Sequence, residues 1–92
     1  SSDSNPEMPH LILNYSYFSS ERKARKAAER MNAQGFQVEV RRGADRVSWL
    51  ALAKQVKTPT AEYIEEMRSV LEVIDKDLNG EYDGWEIEVS QD

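Results

Sequence analysis

Cysteine is absent from this 92-residue chain, and histidine occurs only once, as His10. Without thiols the chain cannot form disulfides, thiolate zinc sites, iron–sulfur clusters or a cysteine nucleophile. The sequence also lacks a glycine-rich phosphate loop, a G-x-S-x-G motif and any recognisable spacing of metal ligands. We therefore expect neither a bound metal nor a cofactor.

Long apolar runs are missing as well. No segment approaches the roughly 20 apolar residues that a membrane helix needs, so no membrane association is expected. The first residues have neither the basic nor the apolar region of a signal peptide. We predict a flexible tail over residues 1–8 and a single domain over residues 9–92, because this length suits one compact domain. The default location for such a chain is the cytoplasm.

Charge is divided unevenly along the chain, whose net charge is −5. Residues 1–59 hold ten Lys/Arg and six Asp/Glu, whereas residues 60–92 hold two Lys/Arg and eleven Asp/Glu. Such a division can attract a partner of either sign. It can equally reflect pairing between neighbouring elements of the same domain.

Four segments have the alternation of polar and apolar residues that is typical of strands. They cover residues 10–18, 36–41, 46–56 and 85–90. In the first, Leu11, Leu13, Tyr15 and Tyr17 form a plainly apolar face. The other face of this strand is mixed, and its residues are His10, Ile12, Asn14 and Ser16.

Two segments have helical periodicity. The first runs to about Gln34 after a cap at Ser19 or Ser20, and Gly35 ends it. Its apolar stripe is formed by Ala24, Ala27, Ala28 and Met31. The second helix is expected to begin with Thr58 as its cap and Pro59 as its first residue, and to reach about residue 78. Its stripe consists of Tyr63, Ile64, Met67, Val70, Leu71, Ile74 and Leu78.

The resulting order, β-α-β-β-α-β, predicts an α+β fold of the ferredoxin-like type. Right-handed crossovers place both helices on one face of a four-stranded antiparallel sheet with strand order 4-1-3-2. The other face stays open. The mixed residues of the first strand, His10 to Ser16 in steps of two, are the candidates for that open face, together with Trp49 of the third strand.

An enzymatic function has little support in the sequence. His10 has no nearby serine, cysteine or aspartate pattern. Glu86 and Glu88 share one face of a strand, but acid–base catalysis requires a carboxyl group whose pKa is raised, and the sequence does not indicate the necessary burial. We therefore predict a protein that is not an enzyme.

Nucleic-acid binding is an alternative, because the first helix carries a basic cluster. It consists of Arg22, Lys23, Arg25, Lys26 and Arg30. These residues could contact phosphate, although a solvated helix face is the ordinary interpretation. The aromatic signature of an RNA-recognition module is missing, and Glu39, Glu86 and Glu88 would repel phosphate from the open face.

Protein recognition is the leading interpretation. Near the C-terminus, Tyr82, Asp83, Gly84 and Trp85 form what we interpret as a rigid turn ahead of the last strand. The candidate partner-binding residues are Tyr82, Asp83, Trp85, Glu86 and Glu88. Because Trp85 alternates with Ile87 and Val89, it is expected to pack under the helices. The acidic character of this region suits a basic protein partner. We expect a monomer, or a weak dimer formed by pairing of edge strands.

The segment Glu81 to Glu86, with its Tyr-Asp-Gly-Trp motif, resembles the end of the RraB family, the regulators of ribonuclease E activity B. Further similarities are Gly35 ahead of Phe36-Gln37-Val38, and the tryptophan in Ser48-Trp49-Leu50. The resemblance covers nearly the whole domain from about Pro9, and its specific part is the Tyr-Asp-Gly-Trp motif. It implies a ferredoxin-like fold and a non-catalytic role, in which the protein binds an RNA-processing endoribonuclease and modulates RNA decay.

Overall fold

The computed structural model describes residues 8–88 and contains the six predicted elements in the predicted order. They are β1 (His10–Phe18), α1 (Glu21–Ala33), β2 (Gln37–Arg42), β3 (Trp49–Lys57), α2 (Ala61–Asp77) and β4 (Glu81–Glu88). The predicted tail, apart from Met8, and the end of the predicted last strand at Ser90 lie outside the described residues.

The strands form one antiparallel sheet in the order β2-β3-β1-β4. This is the predicted order 4-1-3-2, counted from the other edge, and the predicted α+β fold is confirmed. The buried core lies between one face of the sheet and the two helices. We call this the covered face, and the opposite side of the sheet the open face.

Helix α1 forms as its sequence predicts. The hydroxyl oxygen of Ser20 accepts a hydrogen bond from the backbone N–H of Lys23 at 3.2 Å, which caps the first turn. The predicted stripe of three alanines and Met31 is buried. Small residues let the helix lie close to the sheet. Gly35, at φ 97°, has the left-handed conformation expected after the helix end.

Helix α2 begins two residues later than predicted. Its cap is Thr60, whose side chain accepts from the backbone N–H of Tyr63 at 3.1 Å. Strand β3 continues to Lys57, which pairs with His10, so the chain needs residues 58–60 to turn before the helix can start. Thr58 and Pro59 therefore lie in this connection and not in the helix.

The connection after α2 packs directly on the core. Gly80 lies so close to the Phe18 ring that a Cβ atom at this position would be 2.3 Å from a ring carbon. Asn79, at φ 57°, turns the chain from the helix towards β4. A side chain is therefore excluded at Gly80 by contact with Phe18, not by its backbone angles.

Strand β1 faces the opposite way from the prediction. Ile12, Asn14 and Ser16 are buried on the covered face, and Leu11, Leu13, Tyr15 and Tyr17 lie on the open face. Trp49, predicted for the open face, pairs with Phe18 and packs against the core instead. Residues that pair across neighbouring strands share a face, so the register assigns each side chain to the covered or the open face.

The reversal has a physical cause in helix α2. Ser16 donates a hydrogen bond to the carboxylate of Asp75 at 2.6 Å, and the Asn14 amide donates to the sulfur of Met67 at 3.3 Å. Both polar side chains of β1 therefore have partners in the interior, which makes their burial tolerable.

The Tyr-Asp-Gly-Trp motif lies inside β4, and the prediction of a turn ahead of the strand is wrong. Tyr15 pairs with Gly84 and Ser16 pairs with Tyr82, so Asp83 is the extra residue of a β-bulge. Gly84 has φ 116°, a conformation that residues with side chains rarely adopt. The bulge replaces the predicted turn, and the strand begins at Glu81.

Candidate protein-binding surface

The open face of the sheet has an apolar centre. Leu11, Leu13, Tyr15 and Tyr17 follow one another along β1, a central strand. Their partners on β3 include Leu52, opposite Tyr15, and Leu50, opposite Tyr17. Leu50 and Leu52 are only 5% and 6% exposed, although neither α1 nor α2 covers this face. The neighbouring side chains of the open face therefore already shield part of its apolar surface.

An acidic border runs along β4 at one side of this centre. Glu81, Glu86 and Glu88 lie on the open face and are exposed, and Asp83 is exposed at the bulge. The Tyr15 hydroxyl donates a hydrogen bond to a carboxylate oxygen of Glu86 at 2.8 Å. This contact raises the pKa of Tyr15, because the hydroxyl proton is shared with a negative group. The border is thus linked to the apolar centre through Tyr15.

The opposite border of the open face is nearly neutral. Glu39 on β2 lies 3.5 Å from the Arg41 guanidinium and 3.7 Å from the Lys54 ammonium. Within residues 8–88, by contrast, no ion pair involves the acidic residues of β4. The negative charge of the open face is therefore concentrated along β4.

The five predicted partner-binding residues do not share one surface. Glu86 and Glu88 lie on the open face, and Asp83 is exposed at the bulge. Tyr82 and Trp85 are half-buried on the covered face and pack against the core, as Ile87 does. The prediction that Trp85 and Ile87 pack under the helices is confirmed, and Val89 lies outside the described residues.

Tyr82 is held by a buried contact. Its hydroxyl donates to the side-chain oxygen of Asn14 at 2.7 Å, and burial raises the pKa of this tyrosine to about 12. The hydroxyl therefore remains protonated and available as a donor at neutral pH. The ring anchors β4 to the core, and Asn14 obtains a hydrogen-bond donor.

Asp75 is the most unusual group beneath α2. It is 2% exposed, and one of its carboxylate oxygens has no hydrogen-bond partner among the described residues. Its pKa is raised to about 6, mainly by burial; the hydrogen bond from Ser16 opposes this shift, and the nearby Glu72 adds a smaller increase. It lines an open groove of about 380 Å³ between α2 and Tyr82. Asp75 was not among the predicted site residues, although its position four residues after Leu71, in line with the apolar stripe of α2, was a visible signal.

The basic cluster of α1 is partly used in ion pairs. Arg25 lies 2.6 Å from Glu21 within the helix, and Arg30 lies 3.0 Å from Asp77 at the end of α2. The pair between Arg30 and Asp77 links the basic and acidic halves of the chain. It supports the interpretation that part of the charge division is internal. Arg22 and Lys26 are exposed on the same helix, and Lys23 is half-exposed.

The residues considered for catalysis are separated. His10 is half-buried at the start of β1, on the row that faces the helices, whereas Glu86 and Glu88 are exposed on the open face. Within residues 8–88 no group of three or more His, Asp or Glu side chains is arranged to hold a metal ion. None of the helices in this part of the chain is long and apolar enough to cross a membrane.

The fold and its surfaces define a small α+β domain in which helices cover one face of the sheet and the other is exposed. Residues 1–87 match the model of the family described as regulator of ribonuclease activity B. Because the match spans almost the whole chain, the protein belongs to the RraB family. A comparison with curated proteins gives no match. The family is one of regulators of ribonuclease activity, and the predicted family is confirmed.

Proposed function

We propose that this protein regulates an endoribonuclease of the ribonuclease E type by binding it directly, and that it catalyses no reaction itself. The observation that carries the proposal is the family match over residues 1–87. The proposal places the protein in the cytoplasm, where a regulator of RNA decay would meet its target.

The geometry supports a binding role in two ways. The open face combines leucine and tyrosine side chains with a row of carboxylates, and aromatic anchors beside charged groups are common in protein interfaces. The titratable side chains considered for catalysis lie on different faces of the sheet, so they do not form a common site.

The proposal is tested by mixing the purified protein with the purified ribonuclease and a fluorescent RNA substrate. We expect the initial cleavage rate to fall as the protein concentration rises, and calorimetry without RNA to show binding to the ribonuclease. A heat-denatured sample of the same protein is the control. An unchanged cleavage rate together with no heat of binding would overturn the proposal.

Direct RNA binding through the α1 cluster is the alternative, and the same material distinguishes it. If the protein acted by sequestering RNA, it would shift labelled RNA in a gel without ribonuclease, and the affinity would fall steeply with salt. The double variant R22A/K26A changes two exposed cations of α1. We expect it to inhibit the ribonuclease as the wild-type protein does, whereas sequestration of RNA predicts a weaker effect.

A further inference from the structure

The central strand β1 presents a continuous apolar row to solvent. Its four open-face residues, from Leu11 to Tyr17, span roughly 20 Å at the usual rise of a strand. Val56 on β3 pairs with Leu11 and extends the row sideways, and it is 61% exposed. The four β1 residues are half-buried, and together with the exposed Val56 they offer a partner more contiguous apolar contact than scattered apolar residues would.

The acidic border of β4 lies along one side of this row. Leu11 pairs with Val56 on β3 and with Glu88 on β4, so these three residues cross the sheet in one line. Further along, Leu13 pairs with Glu86 and Tyr17 pairs with Glu81. The carboxylates thus accompany the apolar row along its length. On the β2 side, Glu39 already has two cations nearby.

From this arrangement we propose that the open face docks a basic amphipathic segment of the ribonuclease. The apolar side chains of that segment pack on the β1 row, and its arginine or lysine side chains contact the β4 glutamates. The inference rests on the proposed function. It adds which surface binds, that the partner segment is basic and amphipathic, and that its basic side lies towards β4.

Charge complementarity favours this occupant over a second copy of the chain. Within residues 8–88, the open face carries four carboxylates, from Glu39, Glu81, Glu86 and Glu88, and two cations, from Arg41 and Lys54. Two such faces would bring a net excess of negative charge together, and like charges across an interface disfavour association. A basic segment instead neutralises the negative charge of the acidic border along β4.

Matched substitutions test the surface. Val56→Glu places a charge in the apolar row, and Glu88→Lys reverses one charge of the acidic border. Val73→Glu and Glu29→Lys make the same changes on the helices, at a valine that is 56% exposed and at an exposed glutamate. All four sites are exposed, so circular dichroism is expected to show folded proteins for each variant.

We expect each open-face variant to raise the Kd for the ribonuclease, measured by calorimetry, by about tenfold or more, because a charge change at an interface anchor weakens binding. The two helix variants should stay within about twofold of the wild-type protein. Equal effects of the two pairs, or no effect of the first pair, would overturn the inference while leaving the proposed function intact. If the wild-type protein does not bind the ribonuclease at all, both fail.

Two further measurements complete the test. Amide chemical shifts of the ¹⁵N-labelled protein should change along β1 and β4 when the purified ribonuclease is added, and remain unchanged on α1. Light scattering of the protein alone should show a monomer. A dimer that Val56→Glu dissociates would assign the face to a second copy and overturn the proposal.

Discussion

On the covered face of the sheet, β1 contributes Ile12, Asn14 and Ser16, whereas on the open face it contributes Leu13, Tyr15 and Tyr17. The polar groups are therefore inside, and the larger apolar side chains are partly exposed. The arrangement is stable because Ser16 bonds to Asp75, and Asn14 bonds to Met67 and Tyr82. A satisfied polar group can be buried at little net cost.

The two faces differ in how their polar side chains are partnered, and we infer that the open face serves binding. The polar side chains of the covered face form hydrogen bonds with defined partners, and these bonds specify how α2 and β4 lie against β1. In the part of the open face that the structure describes, the polar side chains have no comparable set of buried partners, and the acidic border is exposed. Substitutions on the covered face should change stability, and substitutions on the open face should change binding.

The largest expected contrast comes from two adjacent residues of β1. Ile12→Ala removes a side chain that is 0% exposed on the covered face, and should lower the free energy of unfolding by about 2–5 kcal/mol. Leu13→Ala, on the half-buried open face, should lower it by about 1 kcal/mol. Urea denaturation of both variants measures the difference. Equal losses would show that the two faces contribute equally to stability.

The pH dependence of stability should reveal Asp75. Its pKa of about 6 in the folded protein exceeds its ordinary value of 3.8, so the folded state holds the proton more tightly than the unfolded state. The contribution of this group to stability is greatest below pH 3.8. It falls by about 3 kcal/mol as the pH rises to 6.

Asp75→Asn is the matched control for this effect, because the amide keeps the shape of the side chain and does not ionise. Urea denaturation of both proteins between pH 4 and pH 7 should show that the wild-type protein loses stability relative to the variant as the pH rises. If the two pH profiles run parallel, Asp75 is not the group that couples proton binding to folding.

The smallest contrast concerns two tyrosine hydroxyl groups. Tyr82→Phe leaves the oxygen of buried Asn14 without its donor and should cost about 1–3 kcal/mol of stability. Tyr15→Phe leaves the exposed Glu86 carboxylate to water and should cost less than about 1 kcal/mol. Thermal unfolding of the two variants gives the comparison. A larger loss for Tyr15→Phe would contradict the assignment of the faces.

Much of the fold could be predicted because local rules agree with it. The alanine stripe and Ser20 cap define α1, Gly35 ends it, and Val38 and Val40 alternate towards the core in the segment predicted as a strand. The order of the elements then leaves few topologies, since crossovers are right-handed. The start of α2 was misplaced because Thr58 and Thr60 are both acceptable caps, and only the length of β3 selects between them.

The candidate site was predictable only in part. Glu86 and Glu88 were assigned to the open face correctly, because they alternate with Trp85 and Ile87. The bulge at Asp83 could not be predicted from β4 alone, because it is defined by pairing with Tyr15 and Ser16. The apolar row of β1 was assigned to the interior, since alternation alone does not say which of two faces meets the helices.

The sequence by itself determined the six elements, their order, the sheet topology and the membership of the RraB family, because these depend on local pattern and on a motif. The tertiary structure decided the orientation of β1 and thereby the surface that is open to a partner. The physical reason lies about 60 residues away from Ser16, in the carboxylate of Asp75. Whether a polar side chain can be buried depends on the partner that the fold brings to it.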